Sequence, residues 1–314
     1  MRILWHVSSH GWGHAARQRE LIRVYKQKNP DKRIIVASDI PGWFWKDSAI
    51  SELNPGSPSP LAIEADGDID ISATRSQLLL FLDTYQVLLT KEVNFQNIIK
   101  PDIVVTDIDP LPVAAASIRN IKAIGIGNFT WDWIMAELFP HMRSDIRRIS
   151  ELYSSGTYLR LPLGPDFCPF SEMVNVPLLN SGSPGNSERA RSILPEGKIC
   201  LFALRELPGS CNPEIPEEFH PVSSCPQPLS EGILNITPDK LASTGLTFSD
   251  LMAASDIVVS KAGYGVVSQI LALGKPCVLL KGRAFPEEPY LLEPMRHRSA
   301  TKLHDWSQVS HLSD

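Results

Sequence analysis

Cysteine is scarce in this sequence, with five among 314 residues. The count is odd and no pair has C-x-x-C spacing, which argues against a disulfide framework and a structural zinc site. Cys168, Cys200, Cys211, Cys225 and Cys277 fit the reduced thiols of a cytoplasmic protein. Long apolar runs are missing as well. No stretch approaches the roughly 18 apolar residues of a membrane span. The opening MRILWHVSSHG has too short an apolar run for a signal peptide and reads as a buried strand. Secretion and membrane insertion are therefore not expected, although peripheral membrane contact is compatible with both absences. Basic residues do not cluster: 30 Lys and Arg stand against 35 Asp and Glu, for a net charge of -5. The electrostatic footprint of a nucleic-acid binder is absent.

What is present is ordinary globular composition, 43% hydrophobic and 21% charged. The length suits about two domains, each able to bury its own core. Apolar runs alternate with helix-period segments. Arg2–Val7 reads as a strand, followed by a helix over about 14–28. Further strands fit Arg33–Ser38, Asp102–Thr106 and Lys122–Ile126, with helices over Arg75–Lys100 and Trp131–Tyr153. Leu161–Ser187 is rich in Pro, Gly, Ser and Asn and reads as a linker. The pattern then restarts. Strands fit Lys198–Leu204, Gly232–Ile236, Asp256–Ser260 and Pro276–Leu280, and helices fit Thr247–Ala254, Tyr264–Leu273 and Glu287–His297. The Pro-rich stretch Pro208–Pro228 takes no assignment.

This order predicts an α/β protein with two Rossmann-like lobes: residues 1–160, a linker over 161–187, and residues 188–314. Ligands of such sheets bind outside the carboxyl ends of the strands, so a cleft between the lobes is the expected site.

Two strand-to-helix junctions carry the chemistry. In the second lobe, Asp256–Ser260 runs into Lys261-Ala262-Gly263-Tyr264-Gly265, where a helix begins. Glycine lets a backbone approach a ligand closely, and the helix N-terminus favours phosphate. A tight turn with no ligand is the plainer reading of the same residues. In the first lobe, the opening strand runs into His10-Gly11-Trp12-Gly13-His14, with Arg17 one turn on. A histidine at a helix N-terminus is held neutral and basic. His14 can then take a proton from a hydroxyl, or it can simply pack the turn. His10 is a second candidate. Asp107 and Asp109 follow the strand ending at Thr106, and either could orient the imidazole. Turn chemistry before Pro110 explains them equally well. Asn128, Phe129, Thr130, Trp131 and Trp133 follow the next strand and suit a sugar or apolar acceptor, or the core.

Three blocks resemble a known family: HGWGHAAR, GNFTWDW, and SKAGYGVVSQILALGKPCVLL with its sequel RAFPEEPYL. They are similar to glycosyltransferases of the GT-B architecture, in particular the MurG-like branch. The closer likeness is to predicted bacterial glycosyltransferases and the N-terminal region of plant arabinokinases. The blocks span residues 1 to about 298.

The resemblance implies a transferase that moves a sugar from a nucleotide-diphospho-sugar, UDP-linked, to an unidentified acceptor hydroxyl, with inversion. It implies neither a metal nor a cofactor. His14 would be the base, with Asp107 or Asp109 behind it. Gly11, Gly13, Asn128 and Thr130 would bind substrate or nucleotide from the first lobe, and Arg17 would bind phosphate or pair with an acid. Lys261, Gly263, Tyr264, Gly265 and Ser268 would hold the nucleotide diphosphate. Gln269 stands where the family has a ribose-binding Glu. Glu287 and Glu288 match the position that grips sugar hydroxyls, though they also fit a solvated helix start.

A hydrolase or epimerase on the same fold, and a non-catalytic nucleotide-sugar-binding protein, are the alternatives. Gln269 and Arg205, which stands where the family has a Gly-rich loop, point to the latter. Three signals are set aside. Asp66, Asp68 and Asp70 have calcium-loop spacing but lack the closing Glu, since Gln77 stands there. Asp107-Ile108-Asp109 spells a D-x-D metal motif that belongs to a different glycosyltransferase fold. Trp43-Phe44-Trp45 reads as packing against the sheet.

Overall fold

A computed structural model describes residues 1–9, 12–46, 48–57, 61–63, 69–179, 186–204, 207, 213–281 and 285–305. The chain forms two compact units. The first is Met1–Leu178 with Phe285–Glu287, and the second is Leu179–Ala284 with Glu288–Asp314.

The first unit runs β1 (Arg2–His6), α1 (Trp12–Lys28), β2 (Arg33–Ala37), β3 (Glu52–Asn54), α2 (Ile71–Ile99), β4 (Ile103–Thr106), α3 (Pro110–Ile118), β5 (Lys122–Gly127), α4 (Trp131–Leu138), α5 (Arg143–Leu152), β6 (Thr157–Arg160) and β7 (Glu172–Asn175). Its strands form one sheet in the order β3-β2-β1-β4-β5-β6-β7, and every pairing is parallel. Parallel strands covered by helices on both faces are apolar throughout, which is why RILWH and RIIVA bury four of five residues each. The order reverses at β1 and β4, so the crevice at their carboxyl ends is this sheet's switch point.

The second unit runs α6 (Ser187–Arg191), β8 (Lys198–Ala203), β9 (Phe219–Ser223), β10 (Leu234–Asn235), α7 (Pro238–Ser243), α8 (Phe248–Ala254), β11 (Ile257–Lys261), α9 (Tyr264–Leu273), β12 (Cys277–Lys281), α10 (Glu288–Arg296) and β13 (Thr301–Asp305). Its parallel sheet has the order β10-β9-β8-β11-β12-β13 and reverses at β8 and β11. The α/β class with two Rossmann-like sheets is therefore as expected.

Several boundaries differ from expectation for local reasons. The presumed linker 161–187 supplies β7, and the first compact unit continues to Leu178. The single helix expected over Trp131–Tyr153 breaks at Pro140 into α4, a short 3-10 turn and α5, because proline lacks the N–H that helix continuation needs. The unassigned stretch Pro208–Pro228 contains β9. Asp70, set aside as a calcium-like residue, caps α2 by accepting from the Ala73 N–H at 2.8 Å, while Asp66 and Asp68 lie outside the described residues. Trp45 is buried, but Trp43 is 55% exposed, so only part of that cluster packs inward. No helix among the described residues is long and apolar enough to cross a membrane.

Candidate functional site

In the first unit, residues three and four apart on a helix share a face. His14, Arg17 and Gln18 of α1 follow that spacing, and all three reach the same acid. Asp107 follows β4 at the switch point and is fully buried. Its backbone N–H donates to His6 O at 2.9 Å, which extends the β1–β4 ladder by one bond. Its Oδ1 accepts from Arg17 Nη2 at 2.7 Å and Gln18 Nε2 at 2.9 Å. Its Oδ2 lies 2.8 Å from His14 Nδ1. Gln18 is fixed in turn by Trp5, whose indole Nε1 donates to Gln18 Oε1 at 2.9 Å.

The charges follow from this geometry. Burial by itself raises a carboxyl's pKa, but His14 and Arg17 outweigh it and hold Asp107 well below the ordinary carboxylate range. The pair Asp107 and Arg17 is then neutral as a whole. Burial presses the His14 pKa below 6.5; Asp107 opposes this and Arg17 reinforces it. His14 is thus neutral at pH 7. A carboxylate 2.8 Å from Nδ1 requires the proton on that nitrogen, which leaves the lone pair on Nε2. Arg17 Nη2, at 3.1 Å from the same Nδ1, is then a charged neighbour and not a donor to it. The ring edge of His14 meets Phe129 at 5.7 Å between centroids.

The network continues across the unit. Arg17 Nη1 donates to Asn128 Oδ1 at 3.3 Å. Asn128, just beyond β5, donates through Nδ2 to Leu163 O at 3.2 Å and to Glu287 Oε1 at 2.6 Å. Glu287 is 6% exposed. Burial pushes its pKa up to about 7, against the lowering effects of Asn128 and Arg17.

The turn that presents Asp107 is strained. Ile108 has φ 65°, a left-handed conformation that β-branched residues avoid. The Tyr153 hydroxyl donates to Ile108 O and holds it there. Gly127 makes room for it: a Cβ on that glycine would stand 2.4 Å from Ile108 Cγ2.

In the second unit, β11 delivers Lys261 and then Gly263, the N-cap of α9, which has no side chain to cap the helix. The first N–H groups of a helix have no intrahelical partner and carry its positive end. Gly263 has φ -114°, open to any residue, and a Cβ there would have nothing within 4 Å. Neither packing nor backbone conformation demands glycine at this position. The space it leaves in front of the helix end is what an anion would need.

The other expected residues divide. Gly13 lies in the first turn of α1, and a Cβ there would also meet nothing within 4 Å. Gly11, His10 and Arg205 fall outside the described residues. Asp109 does not orient His14. Its carboxylate caps α3 by accepting from Leu111 N–H at 3.1 Å, and Asp107, two residues before it, takes the histidine. Thr130 is the buried N-cap residue of α4, with no side-chain cap bond. Ser268 directs its hydroxyl to Gly265 O at 3.0 Å within α9 and is 3% exposed, so its proton is spent inside the helix. Tyr264 and Gln269 are buried on the same helix. Glu287 and Glu288 do not act as a pair: Glu287 bonds Asn128 in the first unit, while Glu288 opens α10 in the second. Trp131 is core, whereas Trp133 lines a pocket of about 330 Å³ with Ile146, Phe167, Arg143 and Arg147.

Sequence reasoning missed Gln18 and Tyr153. It also missed the pair of buried His6 and partly buried Glu92, Nε2 to Oε1 at 3.2 Å. Burial lowers the His6 pKa, but Glu92 and Asp109 outweigh it and the net shift is upward.

No family model matches the chain. Among solved structures, the chain is similar to the glycotransferase of kitacinnamycin, with TM-score 0.62 and 16% identity over 98% of this chain and 87% of that one. Glycosyltransferase VinC in complex with dTDP gives TM-score 0.57 and 13% identity over 98% and 87%. MurG of Acinetobacter baumannii gives 0.50 and 12% over 98% and 86%.

The fold is GT-B.

The GT-B likeness at these identities is one of architecture. Among curated proteins, L-arabinokinase of Arabidopsis thaliana is 28% identical over 310 residues, 91% of this chain. The chain spans only 29% of the length of that relative. Both likenesses agree with the resemblance read from the three sequence blocks.

Proposed function

We propose that this protein is a cytoplasmic glycosyltransferase that moves a sugar from a nucleotide-diphospho-sugar, UDP-linked in the first instance, to an acceptor hydroxyl. The observation that carries this reading is His14: a partly buried, neutral imidazole with its Nδ1 proton fixed on a carboxylate and its lone pair on Nε2. That is the form a general base needs. The acceptor hydroxyl gives its proton to His14 Nε2 as its oxygen bonds the anomeric carbon. The bond from that carbon to the phosphate oxygen breaks, and its electron pair leaves on the nucleoside diphosphate. A single displacement inverts the anomeric centre. The N-terminus of α9 is the feature of the second unit suited to a nucleoside diphosphate, and transfer without a metal is the expectation.

Two comparisons support the reading: the solved structures of similar fold are glycosyltransferases, and that of VinC is a complex with dTDP. The curated relative is named for L-arabinose, which makes UDP-L-arabinose the first donor to try. Incubation with UDP-sugars and a panel of hydroxyl acceptors should give a glycosylated product, insensitive to EDTA. Rapid UDP release without any acceptor would instead make the protein a hydrolase. No calorimetric binding of UDP or UDP-sugars at millimolar concentration would remove both readings.

A further inference from the structure

Glu287 is a buried carboxyl 159 positions away in sequence from the asparagine it holds. The sequence resemblance gives it a sugar hydroxyl to grip. Its surroundings suggest a different task. Asn128 Nδ2 has two protons, and both have acceptors: Glu287 Oε1 and Leu163 O. The amide is therefore held in one orientation, with its oxygen turned to Arg17 Nη1. That bond, at 3.3 Å, anchors one end of the guanidinium plane. The other end of the same plane, Nη2, grips Asp107 Oδ1, which leaves Oδ2 for His14 Nδ1. Each link is specific as to donor and acceptor, so a flip of the Asn128 amide would set its N–H groups against those of Arg17. Leu163 O alone, at 3.2 Å, is the weaker of the two acceptors that prevent the flip.

We infer that Glu287 is a positioning residue for His14, acting through Asn128, Arg17 and Asp107 and not by contact with the sugar. The inference rests on the reading of His14 as the base. Packing alone does not call for a carboxyl at this place, because an apolar side chain of similar volume would fill it without the cost of burying an ionisable group. What Glu287 adds is an acceptor at 2.6 Å that a hydrocarbon lacks.

The test compares Glu287→Met, which keeps volume and removes the acceptor, with Glu287→Gln, whose side-chain oxygen still accepts from Asn128. The first readout is the nitrogen NMR signature of the His14 ring, which reports its tautomer and needs no turnover. Glu287→Met should convert the single Nδ1–H form into a mixture, and Glu287→Gln should retain the wild-type signature. The second readout is kinetic. Glu287→Met should lower kcat about tenfold with the KM for the donor unchanged, and Glu287→Gln should restore kcat. An unchanged His14 signature in a folded Glu287→Met would overturn the inference, as would a raised donor KM with kcat intact. Should the wild type show no sugar transfer, the transferase reading fails, and the NMR comparison still decides whether Glu287 orders His14.

Discussion

Asp107 holds a full negative charge where no water reaches it, and Arg17, Gln18 and His14 make that possible. An uncompensated charge at such a depth would be too costly to keep, so the acid and Arg17 are one unit. The consequence for His14 is that its neighbourhood is already neutral, and burial decides its proton. Asp107→Asn preserves the shape but offers one acceptor atom where the site has two in use. Either His14 loses its Nδ1 partner or Arg17 faces an amide N–H. Transfer should fall about 10²- to 10⁴-fold, within the range attributed to oriented acid–base catalysis, and steady-state rates with saturating donor measure it. His14→Ala should abolish transfer while UDP still binds with near wild-type affinity by calorimetry; full activity in that variant would end the assignment of His14 as base. Because the His14 pKa lies below 6.5, kcat/KM should be flat through neutrality and drop only on the acid side of pH 6.5 as the base takes up its proton. A break well above pH 7 would point to another group.

At the scale of elements, two glycines at strand ends serve opposite purposes. Gly127 closes β5 against the strained Ile108. A methyl there would collide with Ile108 Cγ2 at 2.4 Å and approach Phe129 O at 3.1 Å. Gly127→Ala should therefore destabilise the first unit by about 1–3 kcal/mol through overpacking, read as a lower denaturation midpoint. Gly263 begins α9 with open space around it. Gly263→Ala should leave the melting temperature within a few degrees of wild type, yet weaken UDP binding about tenfold or more, equivalent to about 1.4 kcal/mol. Unaltered affinity would remove the α9 end from the nucleotide site. This contrast also shows what the sequence could disclose. The strand-to-helix junctions were legible because β1, β4, β5, β8, β11 and β12 are short apolar runs buried on both faces. Strands β7, β9 and β13 were not. Glu172–Asn175 is exposed throughout, Phe219–Ser223 contains Pro221, and Thr301–Asp305 is largely polar; none shows the apolar run that marks a central strand. Within the site, the helix spacing exposed His14 and Arg17, whereas the choice between Asp107 and Asp109 rested on a turn. Ile108 in the left-handed region turns one acid to α1 and leaves the other to cap α3. No periodicity encodes that, nor the bond from Asn128 to Glu287.

For the molecule as a whole, the buried groups that order His14 also tie stability to pH, with opposing signs. Asp107, whose folded pKa is depressed, contributes stability that is present above its unfolded value near 3.8 and is lost as pH falls below it. His14 is depressed too, so its contribution is full above 6.5 and is lost as pH falls and the unfolded chain takes up a proton. Glu287 runs the other way. Its folded pKa is about 7 against 4.5 unfolded, so between those values the folded state keeps a proton that the unfolded state has released. Stability then declines as pH rises through that window, by about 1.4 kcal/mol for each unit at the steepest, and levels off above pH 7. The charged group facing Glu287 is Arg17, with Asn128 as its hydrogen-bond partner. Because several groups titrate together, a single melting curve would not isolate one of them. Glu287→Gln does, since every other titration is common to both proteins and cancels in the difference. The variant should gain on the wild type as pH is raised from 5 to 8, and its melting temperature should rise relative to wild type across that interval and then run parallel. Identical offsets at pH 5 and pH 8 would mean that Glu287 titrates normally, and that the carboxyl beside Asn128 is already ionised in the folded protein at pH 5.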